Sequence, residues 1–167
     1  IPHRMEYIQN VFMSVRQFAE KHPGLETLTD FLNEIPPEYR SVAFESASME
    51  VALKDMKDGN ELNGWNDFYR LHQAAHGFHL DIGLGWALAI KETLAAGINH
   101  DSSLTMVFDG VGYYHGLFRS RRTVGNHEIP AYVTAANLSG FDQGLGRRLW
   151  YNCKGEVAEV AALIQRF

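Results

Sequence analysis

Three histidines in the middle of the chain have the spacing of metal ligands. His72 and His76 are four residues apart, and His79 follows three residues later. On one unbroken helix the three side chains would share a face, and paired histidines at this spacing can hold zinc or iron. The HExxH motif of metalloproteases is absent, because Gln73 follows His72. The pattern indicates either a metal site at His72, His76 and His79 or histidines with a purely structural role.

Four acidic residues occupy matching positions in similar segments: Glu45, Asp81, Asp109 and Asp142. One interpretation is that each carboxylate caps a helix N-terminus and stabilises it by about 0.3–1 kcal/mol. The other is that the carboxylates meet around a hard cation or a proton-transfer site. On the second interpretation, the expected catalytic residues are Asp81, Asp142, His79, His115 and Arg147.

The segments that carry these acids form an internal repeat. VAFESASMEVAL at 42–53 resembles MVFDGVGYYHGL at 106–117, and LDIGLGWAL at 80–88 resembles FDQGLGRRL at 141–149. Phe44 aligns with Phe108, and Leu80 aligns with Phe141. A tandem duplication of one unit of about 60 residues explains both alignments. We place unit one at 38–98 and unit two at 104–167, after N-terminal helices at 1–37.

The spacing of apolar residues and the positions of Gly and Pro indicate helices rather than strands. We expect Gly77 to end one helix, and residues 105–108 to be either a short strand or part of a following helix at 111–122. The other predicted helices are 4–21, 25–35, 38–57, 65–75, 80–96, 130–138, 141–150 and 156–167. The predicted fold is all-α and one domain, with duplicated helical units packed as a TPR-like superhelix or a helical bundle. Each unit would contain a short bridging helix, at 65–75 and 131–138.

Glycine recurs in the repeated segments, at positions where helices are expected: Gly83, Gly85, Gly110, Gly112, Gly116, Gly144 and Gly146. Glycine costs about 1 kcal/mol in a helix relative to alanine, so its repeated use needs a reason. Close packing of helix backbones is one reason, and an anion-binding turn is another. The D-x-G-L-G segments lack the third glycine of a dinucleotide fingerprint and the lysine of a P-loop, so they identify no cofactor.

Composition excludes several functional classes. A net charge of −5 argues against nucleic-acid binding, which needs a basic face. The single cysteine, Cys153, excludes an intrachain disulfide and a zinc site built from cysteines. No apolar stretch is long enough to cross a bilayer, and no signal peptide is visible, so we expect a cytoplasmic location.

Four segments resemble the UnbL-like family: VAFESASMEVALKDM, GWNDFYRLHQAAHGFHLDIGLGWALA, VFDGVGYYHGLF and GFDQGLGRRLWY. The resemblance covers residues 38–167, with Ser46 and Ser48 where the family pattern has smaller residues. It implies a bacterial context, beside enediyne polyketide synthases or in other gene clusters, a part in making or processing a hydrophobic secondary metabolite, and relatives that extend past Phe167. It carries over no catalytic residue.

These observations leave three functions open. The first is an accessory helical-repeat protein of enediyne or polyketide-like biosynthesis, binding a partner protein or a hydrophobic intermediate. The second is an enzyme with a carboxylate and histidine site, with or without a metal, between the duplicated units. The third is a structural subunit of a larger assembly.

Overall fold

The computed structural model describes residues 2–59 and 61–165. Within these residues the fold is all-α, as predicted, and the only β-type contact is an isolated parallel bridge between Glu61 and Ala96. None of the described helices is long and apolar enough to cross a membrane. The helices are α1 (Pro2–Lys21), α2 (Leu25–Glu34), α3 (Pro37–Asp58), α4 (Asn63–Lys91), α5 (Leu104–Phe118), α6 (Leu138–Asn152) and α7 (Val157–Ile164), with a π-helical turn at Arg121–Gly125.

The helix ends follow local sequence signals. Pro36 and Pro37 stand at the N-cap and first turn of α3, where proline loses no helical hydrogen bond. Gly59 follows the last turn of the same helix. Ser103 caps α5, because its hydroxyl accepts a hydrogen bond from the Met106 N–H at 3.4 Å.

Helix α4 contains a bend. The prediction that Gly77 ends a helix is wrong, because helical structure is continuous from Asn63 to Lys91. The Ser48 hydroxyl nevertheless accepts a hydrogen bond from Trp65 Nε1 at 2.7 Å and donates one to the Leu80 carbonyl at 2.6 Å. In a straight helix, Trp65 and Leu80 would lie about 22 Å apart along the axis. One hydroxyl reaches both only because α4 bends between them, in the region that contains Gly77.

The bend makes the second half of α4 run parallel to α3. Glu45 lies beside His79, and Ser48 lies beside Gly83, so residue numbers rise together along the two helices. Helices α5 and α6 are also parallel, since Gly140 packs on Thr105 and Arg148 packs on Gly116. Parallel packing differs from the antiparallel hairpin of a tetratricopeptide repeat.

Equivalent positions of the two repeats make equivalent contacts. The Glu45 carbonyl packs on Gly83, as the Asp109 carbonyl packs on Gly144. Ser48 contacts the Leu80 carbonyl, and Gly112 lies against the Phe141 carbonyl. The residues that make the equivalent contacts are the ones that the sequence alignment matches between the two repeats. Descent from one duplicated unit stays a prediction.

Close packing explains most of the repeated glycines. A Cβ atom at Gly85, Gly112 or Gly144 would overlap a backbone carbonyl oxygen of the neighbouring helix. The packing interpretation is therefore confirmed at these positions. Gly146 is an exception, because nothing lies within 4 Å of the place where its Cβ would stand.

Other predicted helix boundaries are wrong. Residues 130–137 form turns, held by Val133 N–H to Pro130 O and Asn137 N–H to Thr134 O, so the second bridging helix is not formed. The first bridging helix, predicted at 65–75, is part of the first half of α4. The helix predicted at 80–96 is part of the second half of α4, which ends at Lys91. Residues 105–108 belong to α5, which ends at Phe118. The end of the predicted helix 156–167 lies outside the described residues.

Candidate functional site

A cleft of about 550 Å³ opens at the bend of α4. This volume lies in the range of small-molecule sites. Helix α3 contributes Ser41, and the segment before α5 contributes Asp101 and Ser103. The bend itself supplies the rest of the lining: Tyr69, Gln73, Ala74, Ala75, His76, Gly77, Phe78, His79 and Asp81. The cleft therefore joins polar groups to the exposed ring of Phe78.

Asp81 is the most unusual group in this cleft. The residue is 1% exposed, and its Oδ2 accepts a hydrogen bond from the Ser103 N–H at 2.9 Å. Its Oδ1 is buried and has no hydrogen-bond partner among the described residues. Burial raises the pKa of Asp81 to about 7, although the Ser103 N–H and the Ser102 hydroxyl act to lower it. The carboxyl group can therefore gain or lose a proton near neutral pH.

Two more polar atoms of the cleft lack partners. His76 Nδ1 and His79 Nδ1 are buried without a hydrogen bond in the part of the chain that the structure describes. The nearest charge to His79 Nδ1 is Glu45 Oε2, at 3.8 Å. Tyr69 completes the group: its hydroxyl donates to the Asp101 carbonyl at 3.1 Å, and burial and the charge of Asp81 raise its pKa. Buried polar atoms without partners are rare in folded proteins, so their concentration here marks the site.

The three predicted metal ligands do not form a metal site in the described residues, where no group of three or more His, Cys, Asp or Glu is arranged to hold an ion. His72 Nε2 lies 3.0 Å from the Thr29 hydroxyl. His76 stacks on Phe44 with ring centroids 3.9 Å apart. Burial lowers the pKa of His72 and of His76, with smaller electrostatic contributions from His76 on His72 and from His79 and Arg40 on His76. His76 and His79 belong to the cleft, and His72 belongs to the packing of α2 and α3 on α4.

Arg147 and Asp142 lie away from this cleft. Arg147 forms an ion pair with Asp109, which is 1% exposed, and its guanidinium carbon lies 4.4 Å from the centroid of the Tyr113 ring. Gln143 donates to the other carboxylate oxygen of Asp109 at 3.0 Å. Asp142 is exposed on α6. The structure therefore does not bring Asp81 and Asp142 together.

His115 lines a second, smaller cleft of about 220 Å³. Its Nε2 lies 3.1 Å from the Tyr132 hydroxyl, and its Nδ1 lies 3.4 Å from the Thr123 hydroxyl. Burial, with a smaller contribution from the charge of Arg122, lowers the pKa of His115 to about 4. The two arginines of this cleft are paired, Arg119 with Glu92 and Arg122 with Glu128. Both ring nitrogens of His115 lie beside hydroxyl groups, so the polar contacts of His115 in this cleft are already satisfied.

None of the four repeated acids lies in the first turn of its helix, so the capping interpretation is wrong. Glu45 lies inside α3, Asp81 inside α4 and Asp109 inside α5. Each of these three faces a neighbouring helix or segment through the contacts given above.

Sequence reasoning identified Asp81 and His79 but missed Tyr69, Ser102 and Ser103. Tyr69 lies twelve residues before Asp81 and meets it only through the bend of α4. Ser102 and Ser103 precede a helix, which the sequence shows as a capping signal. Nothing in the sequence indicates that the Ser103 N–H would serve Asp81.

A family model described as "Protein of unknown function (DUF1702)" matches residues 1–167. Comparisons with curated proteins and with solved structures give no significant match. Because the family match spans the whole sequence, the chain belongs to this family of unknown function, DUF1702.

Proposed function

We propose that this chain binds a small hydrophobic molecule in the cleft at the bend of α4. The observation that carries the proposal is the set of three unpartnered polar atoms, Asp81 Oδ1, His76 Nδ1 and His79 Nδ1, on residues that line a cleft of about 550 Å³. A ligand that hydrogen-bonds to Asp81 would satisfy at least one buried atom whose isolation costs about 1–3 kcal/mol. The exposed ring of Phe78 and the methyl groups of Ala74 and Ala75 supply apolar contacts.

The wider role that we propose is that of an accessory protein in bacterial secondary-metabolite biosynthesis. The resemblance to the UnbL-like family supports this role, and it suggests a polyketide-like intermediate as the ligand. The sequence contains none of the nucleophile or metal motifs that would assign a reaction. Binding, with or without presentation of the ligand to a partner protein, is therefore the simplest function for the cleft.

A specific observation also favours an enzyme as the second candidate. Asp81 has a pKa of about 7, the range in which a carboxyl group is an effective general acid or base. In such an enzyme Asp81 would transfer the proton, and Tyr69 and His79 would orient the substrate. His115, Asp142 and Arg147 would have no part in the reaction, because they lie outside the lining of this cleft.

Binding of Nile red, a neutral apolar dye, tests the proposal. Phe78 is 67% exposed and lines the cleft, whereas Phe118 is 61% exposed and does not. Phe78→Ser should weaken dye binding by about tenfold, because the ring contributes about 1.5 kcal/mol of apolar contact. Phe118→Ser is the matched control and should leave the dissociation constant unchanged.

The dissociation constant is measured by fluorescence titration, and circular dichroism verifies that both variants are folded. Equal loss in the two variants, or loss only in Phe118→Ser, would place dye binding outside the cleft and contradict the proposal. Absence of dye binding to the unmodified protein would contradict it as well.

A further inference from the structure

We propose that the cleft at the bend of α4 selects ligands that carry a primary ammonium group on an apolar chain. This inference rests on the proposed function and adds the chemical class of the ligand. The starting observation is that no Arg or Lys forms an ion pair with Asp81 among the described residues. A buried carboxylate normally has a cationic partner, because charge burial is costly without one.

The unpartnered atoms are all able to accept hydrogen bonds. Asp81 Oδ1 is an oxygen acceptor, and a neutral imidazole presents one nitrogen as an acceptor. His76 Nδ1 and His79 Nδ1 are the two imidazole nitrogens concerned. A primary ammonium group has three N–H donors and no acceptor, so it complements such a set.

The charges that face the cleft from each packed element also favour a cation. Helix α4 provides Asp81 and the segment before α5 provides Asp101, and Glu45 of helix α3, which is outside the lining, lies beside the lining residue His79. Positive charge acts on the lining group His76 from His79 and from Arg40, and the Arg40 guanidinium is hydrogen-bonded to the carbonyls of residues 33 and 35. The local balance is therefore negative.

The apolar part of the ligand follows from the position of Phe78. Its ring lies at the cleft and is 67% exposed, beside Ala74 and Ala75. An alkyl chain attached to an ammonium group at Asp81 would cover this ring. Removing the apolar surface of the ring and the chain from water would favour binding. Inorganic cations lack this contact, so they would not be preferred over an alkylamine.

Three ligands of equal chain length distinguish the possible head groups: n-octylamine, 1-octanol and octanoate. Binding of each to the unmodified protein is measured by isothermal titration calorimetry at pH 8, above the pKa of Asp81. Octylamine should bind at least about tenfold more tightly than octanol, since charge-assisted hydrogen bonds are about twice as strong as neutral ones. Octanoate should bind most weakly of the three.

Two acid substitutions locate the ammonium group. Asp81→Asn should weaken octylamine binding by about tenfold and leave octanol binding unchanged. Asp142→Asn is the matched control, because Asp142 aligns with Asp81 in the repeat but is exposed on α6, and it should have no effect. If Asp81→Asn does not fold, the order of the three ligands on the unmodified protein decides the matter.

The outcomes separate the two proposals. Octanol binding as tightly as octylamine, or octylamine binding that survives Asp81→Asn, would overturn the preference for amines while leaving the cleft as a binding site. Failure of all three ligands, when Nile red still binds through Phe78, would overturn the same preference. Failure of all three ligands and of Nile red would overturn both proposals.

Discussion

Asp81 combines deep burial with a titration range near neutral pH, and this combination has a consequence for stability. Its pKa is about 7 in the folded protein, against an ordinary value of 3.8. Between about pH 4 and pH 7 the folded state therefore binds more protons than the unfolded state. The free energy of unfolding should fall as pH rises through this window, because the buried carboxyl group must then ionise without a cationic partner.

Asp81→Asn tests this effect, because asparagine keeps an acceptor for the Ser103 N–H and does not titrate. The difference in the free energy of unfolding between the variant and the unmodified protein should shift in favour of the variant by about 2 kcal/mol as the pH rises from 5 to 8. Urea unfolding at intervals of one pH unit gives both free energies, with Asp142→Asn as the control. If the difference in the free energy of unfolding between Asp81→Asn and the unmodified protein did not change with pH, the raised pKa of Asp81 would be contradicted.

At the scale of helices, backbone contact between α5 and α6 depends on glycine at particular positions. A Cβ at Gly144 would overlap the Asp109 carbonyl, whereas a Cβ at Gly146 would meet nothing within 4 Å. Both glycines lie inside α6, so alanine favours the helix equally at the two positions. Only the packing differs.

Gly144→Ala should therefore lower the free energy of unfolding by about 1–3 kcal/mol, since the helices must move apart. Gly146→Ala should raise it by about 0.5–1 kcal/mol, because it removes the cost of glycine in a helix. Chemical denaturation of both variants provides the comparison. If Gly144→Ala were as stable as Gly146→Ala, the close packing of α5 on α6 would be wrong.

Helix α4 contains a feature that the sequence did not predict, a bend within one continuous helix. Gly77 marked the region that bends, but a glycine signal alone does not separate a helix end from a bend within a continuous helix. The difference depends on tertiary contacts, here the hydrogen bonds that Ser48 makes to Trp65 and Leu80. Likewise, the proline at position 130 favoured a helix start, yet α6 begins only at Leu138.

For the whole molecule, the sequence predicted the all-α class and the pairs of segments that match each other as repeats. Apolar spacing gave most helices, and the repeat matched Phe44 with Phe108 in α3 and α5. The cleft could not be predicted, because its lining combines residues on both sides of the bend in α4 with Ser41 of α3 and with Asp101 and Ser103, which belong to no apolar pattern. Asp81 was selected for its place in the repeat, and the lack of a partner for its Oδ1 among the described residues is a property of the assembled fold.

The most direct test of a ligand site at the bend of α4 is a two-dimensional ¹H–¹⁵N NMR titration of the labelled protein with octylamine and, separately, octanol. Binding at the bend of α4 should produce the largest amide shifts at Ser103, whose N–H donates to Asp81, and at residues 73–81. Shifts centred instead on the exposed aromatic residues Phe118, Trp150 and Tyr151 would contradict it, because they would place the binding surface elsewhere on the molecule.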